Sequence, residues 1–176
     1  MAAGPRFLYL HGFASGPNSR KGVFLSEHYA RRGVELCRLD MRLPSFEHLR
    51  ASAMIESVRS AIGGPSDRAV LFGSSLGGFI AAQVAALDAR VAALVLLAPA
   101  FRFGKRWRER LNETGWRRWQ ETGWLETYDY TTGQMGRVDF GFMTDLQTLD
   151  FGDFADVRVP TLIMHGRRDE VVDIAV

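Results

Sequence analysis

The stretch "AVLFGSSLGG", residues 69–78, decides how this chain is read. Four apolar, β-prone residues run into two serines fenced by glycines, and "FIAAQVAALDAR" (79–90) carries on with a helical pattern. A serine hydroxyl is a poor nucleophile unless a base takes its proton and donors hold the oxyanion that forms. The pattern G-x-S-x-G addresses the geometry. Glycines two before and two after the serine permit a sharp strand-to-helix turn that lifts its oxygen out of the sheet. Gly73-Ser74-Ser75-Leu76-Gly77 fits this frame. Centring the frame on Ser74 would require glycine at Phe72 and Leu76, so the candidate nucleophile is Ser75. The following helix points its N-terminal amides at the site, which makes the Leu76 N–H a candidate oxyanion donor. The bland alternative is a glycine-rich turn without catalysis; the strand before it and the helix after it favour the nucleophile.

Outward from this turn, strands and helices alternate. "RFLYLHG" (6–12) reads as a buried strand, "SRKGVFLSEHYARR" (19–32) as a helix capped by Gly33, and "VELCRLDM" (34–41) as a second strand. Pro44 opens a helix over about 45–62, stopped by Gly63-Gly64-Pro65. "RAVLFG" (68–73), "VAALVLLAP" (91–99) and "VPTLIMHG" (159–166) are the third, fourth and fifth strands, with an almost uniformly apolar helix over 76–88. Continuous apolar strands separated by helices predict a three-layer, doubly wound α/β fold with a parallel sheet in the order 2-1-3-4-5. Residues 101–158 interrupt the rhythm and hold all four tryptophans, Trp107, Trp116, Trp119 and Trp124. They are expected to form a helical cap inserted into a single domain spanning 1–176, over the carboxyl edge of the sheet where ligands enter.

Composition narrows the class. A hydrophobic content of 47% and a charged content of 24% are those of an ordinary globular protein, which excludes disordered and fibrous types. A net charge of +2 is too small to predict a nucleic-acid partner. The only cysteine, Cys37, excludes an internal disulfide and a C-x-x-C site, and it reads as a small buried hydrophobe in its strand. No secretory signal and no run of 18 apolar residues occurs, so a cytoplasmic protein without a membrane span is expected. No cofactor and no metal are expected, and the oligomeric state is left open.

"LYLHGFASGP", "GSSLGG" and "VPTLIMHGRRDEVV", in that order, resemble the α/β-hydrolases, above all the small bacterial serine esterases that lack the first antiparallel strands. The resemblance covers residues 6–99 and 157–174. It implies a second oxyanion donor at the Phe13 amide, after His11-Gly12, and a triad acid at Asp169. For Asp169 alone a helix N-cap is the competing role. His11 and Gly12 are implied to shape the oxyanion loop, and Gly73 and Gly77 to form the elbow.

The triad of this family runs Ser…Asp…His, yet "EVVDIAV" after Asp169 contains no histidine. His11 and His165 read as structural hydrogen-bonders, and His28 and His48 as solvated helix residues. By resemblance the sequence is expected to continue past Val176 with a helix, a sixth parallel strand and a histidine loop. The chain as given is then a C-terminally truncated esterase with impaired catalysis.

The tryptophan-rich segment is expected to build an apolar acyl pocket as a group, although any single tryptophan is more readily a clamp of cap on core. "KRWRER" and "WRRW" alternate basic and aromatic residues as single-strand nucleic-acid binders do, but fit better an amphipathic helix with its arginines in water. The expected function is a carboxylesterase or thioesterase acting through an acyl-enzyme on Ser75, with a small acyl ester or thioester as partner. The alternatives are a non-catalytic hydrolase-like binding domain, and a peptidase or carbon–carbon hydrolase with the same triad.

Overall fold

The structure is a computed structural model that describes residues 4–149 and 157–172. In chain order its elements are β1 (Arg6–Leu10), α1 (Arg20–Ala30), β2 (Leu36–Leu39), α2 (Ala51–Ile62), β3 (Ala69–Ser74), α3 (Leu76–Leu87), β4 (Val91–Leu97), α4 (Phe103–Thr122), β5 (Trp124–Asp129), β6 (Gln134–Asp139), α5 (Gly141–Thr148) and β7 (Thr161–Met164). β2-β1-β3-β4-β7 form one sheet in that spatial order, and every pairing in it is parallel. This is the 2-1-3-4-5 order expected from sequence, with β7 as the fifth sheet strand.

Alternation along the strands builds the layers. Leu8 and Leu10 of β1 join Leu71, Leu94 and Leu96 in the main core, shared with α2 and α3. Phe7 and Tyr9 point to the other face and cluster with Leu36 and Phe72 beside Leu25 and Tyr29 of α1. α3 is buried from Leu76 to Ala85, which is why its sequence lacks a polar face.

Several elements depart from the sequence reading. α2 begins at Ala51, not near Pro44, because residues 45–50 serve the segment above them. The Glu47 carbonyl accepts the Asp139 amide at 2.8 Å, and Arg50 N–H turns back to Leu43 O at 2.8 Å. Asp145 of α5 takes the place of an N-cap for α2, accepting from the Ser52 amide at 2.9 Å and the Ser52 hydroxyl at 2.6 Å. The inserted segment contains helices α4 and α5 as expected, and between them an antiparallel hairpin, β5–β6, that was not expected. Cys37 is exposed, contrary to expectation. β2 is an edge strand whose Leu36 faces the Tyr9–Phe72 cluster, so its neighbour Cys37 points to the opposite face at the sheet edge. Part of the expected 101–158 cap, residues 150–156, lies outside the described residues.

One ion cluster ties α2 to the start of β4. Asp88, buried, accepts from Arg90 at 2.6 and 2.9 Å and from Arg59 at 3.3 Å. These hydrogen bonds, led by those from the Arg90 side chain, hold its carboxyl far below the usual carboxylate range. A depressed carboxyl adds stability above its unfolded value of about 3.9 and loses it as the pH falls through its folded value. Acid unfolding below about pH 4 should therefore be shallower in Asp88→Asn, which should also be less stable at neutral pH; denaturant melts at the two pH values measure both.

Candidate active site

Ser75 closes β3 and opens α3 with φ 54° and ψ −119°, a backbone region that a residue with a Cβ rarely occupies. Such a conformation costs about 1–3 kcal/mol and persists only where its surroundings over-determine it. They do so here. The Ser75 amide donates to Leu97 O at 3.0 Å, while its carbonyl accepts from Gly78, Phe79 and Ala100 at 2.9, 3.1 and 3.1 Å. The flanking glycines are sterically required. A Cβ on Gly73 would lie 2.6 Å from the Gly78 Cα, and one on Gly77 would lie 2.6 Å from the His11 carbonyl oxygen.

The two serines part company. Ser74 is buried and its hydroxyl accepts from Lys21 Nζ at 3.3 Å, whereas Ser75 is partly exposed and lines a cavity. Gly12 lies against Ser75, since a Cβ there would stand 3.2 Å from the Ser75 Cβ and 3.7 Å from its Oγ. Leu76 is the first residue of α3, so its amide has no intrahelical acceptor. Phe13, in the loop after β1, lines the same cavity as Ser75.

That loop is held from three sides. The Phe13 ring packs against Trp107 at 5.0 Å, Phe103 at 6.0 Å and Phe142 at 6.2 Å between ring centres. The Ala14 carbonyl accepts the Tyr130 amide from the hairpin at 2.9 Å. Beneath the loop, buried His11 is spent on both nitrogens. Met41 N–H donates to its Nε2 at 2.9 Å, which assigns the proton to Nδ1, and Nδ1–H donates to Gly12 O at 2.9 Å. Burial pushes the His11 imidazole below its ordinary value, which favours its neutral form, and the Met41 amide sets the tautomer.

Asp169 follows β7. Its Oδ1 accepts the Val171 and Val172 amides, each at 2.9 Å, and those amide bonds, the Val172 one foremost, hold its carboxyl below the usual value. Oδ2 remains for another donor. The Nε2 of His165 stands 3.9 Å from it but is engaged with the Val172 carbonyl at 2.7 Å, bracing the turn. His28 packs among Phe24 and Tyr29 on α1. His48, expected to be solvated on a helix, lies in a turn and bonds the Asp139 carboxylate through Nδ1, beside Arg50. Each of the four histidines thus has partners of its own.

The cavity of about 820 Å³ opens above Ser75. Of the four tryptophans only Trp107 lines it. Trp116 and Trp119 are buried clamps, the latter donating from Nε1 to Val138 O at 3.0 Å, and Trp124 sits under Arg137 at 4.0 Å. The lining also includes Thr127 and Tyr130 of the hairpin and Arg102, Lys105 and Arg110 of the α4 region. Neither the Lys21 contact nor these lining residues were found from the sequence. For Lys105 and Arg110 the signal was the "KRWRER" run, read as an amphipathic helix with its arginines in water.

A parallel sheet in this order, with a strained serine turn at the carboxyl end of its central strand, defines the chain as having the α/β-hydrolase architecture. The chain belongs to the uncharacterised protein family UPF0227, whose family model matches residues 6–176. Among solved structures it is similar to mouse α/β-hydrolase domain-containing protein 10, with a TM-score of 0.72 and 20% identity over 98% of this chain and 73% of that one. Est1E from Butyrivibrio proteoclasticus with ferulic acid bound is similar with a TM-score of 0.75 and 23% identity, covering 97% of this chain and 72% of that one. The esterase domain of a Rhodothermus marinus protein follows at 0.62 and 20%, covering 97% and 68%. At such identities the likeness establishes the fold. A search of the curated proteins finds no match to the chain. Among the described residues no helix is long and apolar enough to cross a membrane.

Proposed function

We propose that this chain is a serine hydrolase of carboxylic esters or thioesters, with Ser75 as its nucleophile. The observation that carries the proposal is the forced backbone of Ser75, a residue that lines the cavity. A binding domain has no use for a strained serine backed by close-packed glycines, whereas an elbow needs both. The esterases among the similar folds support the same reading.

In this mechanism Ser75 Oγ attacks the acyl carbon, and the Phe13 and Leu76 amides hold the developing oxyanion. Loss of the alcohol or thiol leaves an acyl-enzyme, which water then hydrolyses. Asp169, ionised through its two amide donors, offers Oδ2 to a histidine that orients on it and takes the serine proton. His11, His28, His48 and His165 are each engaged elsewhere, so none of the four is assigned that role. Added imidazole should then speed the phosphonylation of Ser75 by a fluorophosphonate, with loss of fluoride, and an unchanged rate would argue that one of these four histidines already serves as the base.

The test of the activity itself is a panel of 4-nitrophenyl esters from short to long acyl chains. Hydrolysis should exceed that of Ser75→Ala on at least part of the panel, and equality on every member contradicts the proposal.

A further inference from the structure

Among the described residues the cavity lining is uneven in charge. Arg102, Lys105 and Arg110 line it against two carboxylates, Glu109 and Glu170, beside Arg106, which has an interaction of its own. Glu109 is already shared with Lys105, at 3.8 Å. The Arg102 side chain has no hydrogen-bond or ion-pair partner among the described residues. Its backbone is left-handed, with φ 58° and ψ 35°, at the point where the chain enters α4. Arg110 lies over the Trp107 ring, 5.7 Å from its centre, a stacking that pre-orients the guanidinium and leaves its in-plane donors available. The same lining also carries an aromatic patch, with Phe13, Phe103 and Trp107 in mutual contact.

Excess positive charge has a direct consequence in such a place. A cleft with low-dielectric walls focuses the field of its charges, so a ligand of opposite sign is attracted and a neutral one is not. Guanidinium groups with unused donors match the paired oxygens of carboxylate and phosphate. A purely apolar acyl chain would gain nothing from Arg102 and Arg110, and would have to share the cavity with two hydrated cations.

Resting on the hydrolase reading, we propose that the substrate carries an anionic oxygen group, a carboxylate or a phosphate. An apolar spacer resting on Phe13, Phe103 and Trp107 separates it from the ester carbonyl, and Arg102 and Arg110 bind it within the cavity. The basic run of α4 is then a substrate-selecting element of the site, with Lys105 contributing charge and Glu109 keeping its ammonium in place.

Binding tests this without any turnover, so a silent ester panel and a failed anion site remain separate results. The probes are 4-phenylbutyrate, 3-phenylpropyl phosphate and the neutral 4-phenylbutyramide, titrated calorimetrically into the chain. At about 10 mM salt at least one anion should bind roughly tenfold more tightly than the amide, and the preference should shrink at about 0.5 M salt. The tighter anion identifies the source of the charge, and equal binding of both still supports the site. Arg102→Gln/Arg110→Gln should lose the preference while keeping the affinity for the amide. Arg117→Gln, on α4 but outside the cavity lining, should leave both unchanged. An amide that binds as tightly as both anions, or a preference that survives in the double variant, overturns the proposal.

Discussion

Ser75→Ala should eliminate the acyl-enzyme burst with an activated ester, while Ser74→Ala should retain it. The two hydroxyls are adjacent in sequence but differ in chemistry. Ser75 Oγ lies beside Gly12 in the lining of the cavity, next to the amides proposed to hold the oxyanion. Without it there is no atom to form the covalent intermediate, and only oxyanion and binding contributions remain, at most about 10³–10⁴-fold over water. Ser74 Oγ instead accepts from Lys21 in a buried position. Removing it leaves the turn intact and should cost about 1 kcal/mol of stability, with ester hydrolysis reduced less than about tenfold. Stopped-flow release of 4-nitrophenol separates the two variants. A burst in Ser75→Ala, or its loss only in Ser74→Ala, would move the nucleophile.

Gly77→Ala should be the most damaging single-methyl change in the elbow. The new Cβ would collide with the Leu10 carbonyl and stand 2.6 Å from that of His11, so both obstacles are backbone. Neither can rotate away. Relief requires moving α3 off the end of β1, which would also displace Ser75 from the Gly12 loop. Overpacking of this kind costs about 3 kcal/mol. Gly104→Ala is the matched control, since nothing lies within 4 Å of a Cβ there and helix propensity favours alanine by up to about 1 kcal/mol. Thermal melts should fall by several degrees in the first variant and hold or rise in the second. A Gly77→Ala protein with unchanged melting and unchanged ester hydrolysis would contradict the close-packed elbow.

The sheet was legible because its strands are short apolar runs and its helices break at glycines. "AVLFGS" and "VAALVLL" could not be exposed, and α3 had no polar face to offer water. The frame of glycines around Ser75 likewise selected one serine by sterics alone, and the observed φ of 54° is what that frame exists to permit. The hairpin was not legible. β5 and β6 bury little beyond Asp129 and Val138, so "WLETYD" and "QMGRVD" carry no apolar alternation to betray them. Buried Asp129 has a tertiary reason, its carboxylate being bound by Arg42 at 3.1 Å across 87 residues. The start of α2 was misjudged for a similar cause. Pro44 suits a first helical turn, but the Glu47 carbonyl and the Arg50 side chain are committed to Asp139. The tryptophans divided by position rather than type, and only the one set edge-on to Phe13 reached the cavity.

The central claim is that Ser75 is an activated nucleophile, and covalent capture addresses it most directly. The chain is treated with a fluorophosphonate, with and without imidazole, and the adduct is located by mass spectrometry of the peptide containing "GSSLGG". The account predicts one phosphonyl group, on Ser75, formed faster with imidazole and absent from Ser75→Ala. An adduct on Ser74 or on a serine outside the elbow, or no adduct under either condition, would contradict it.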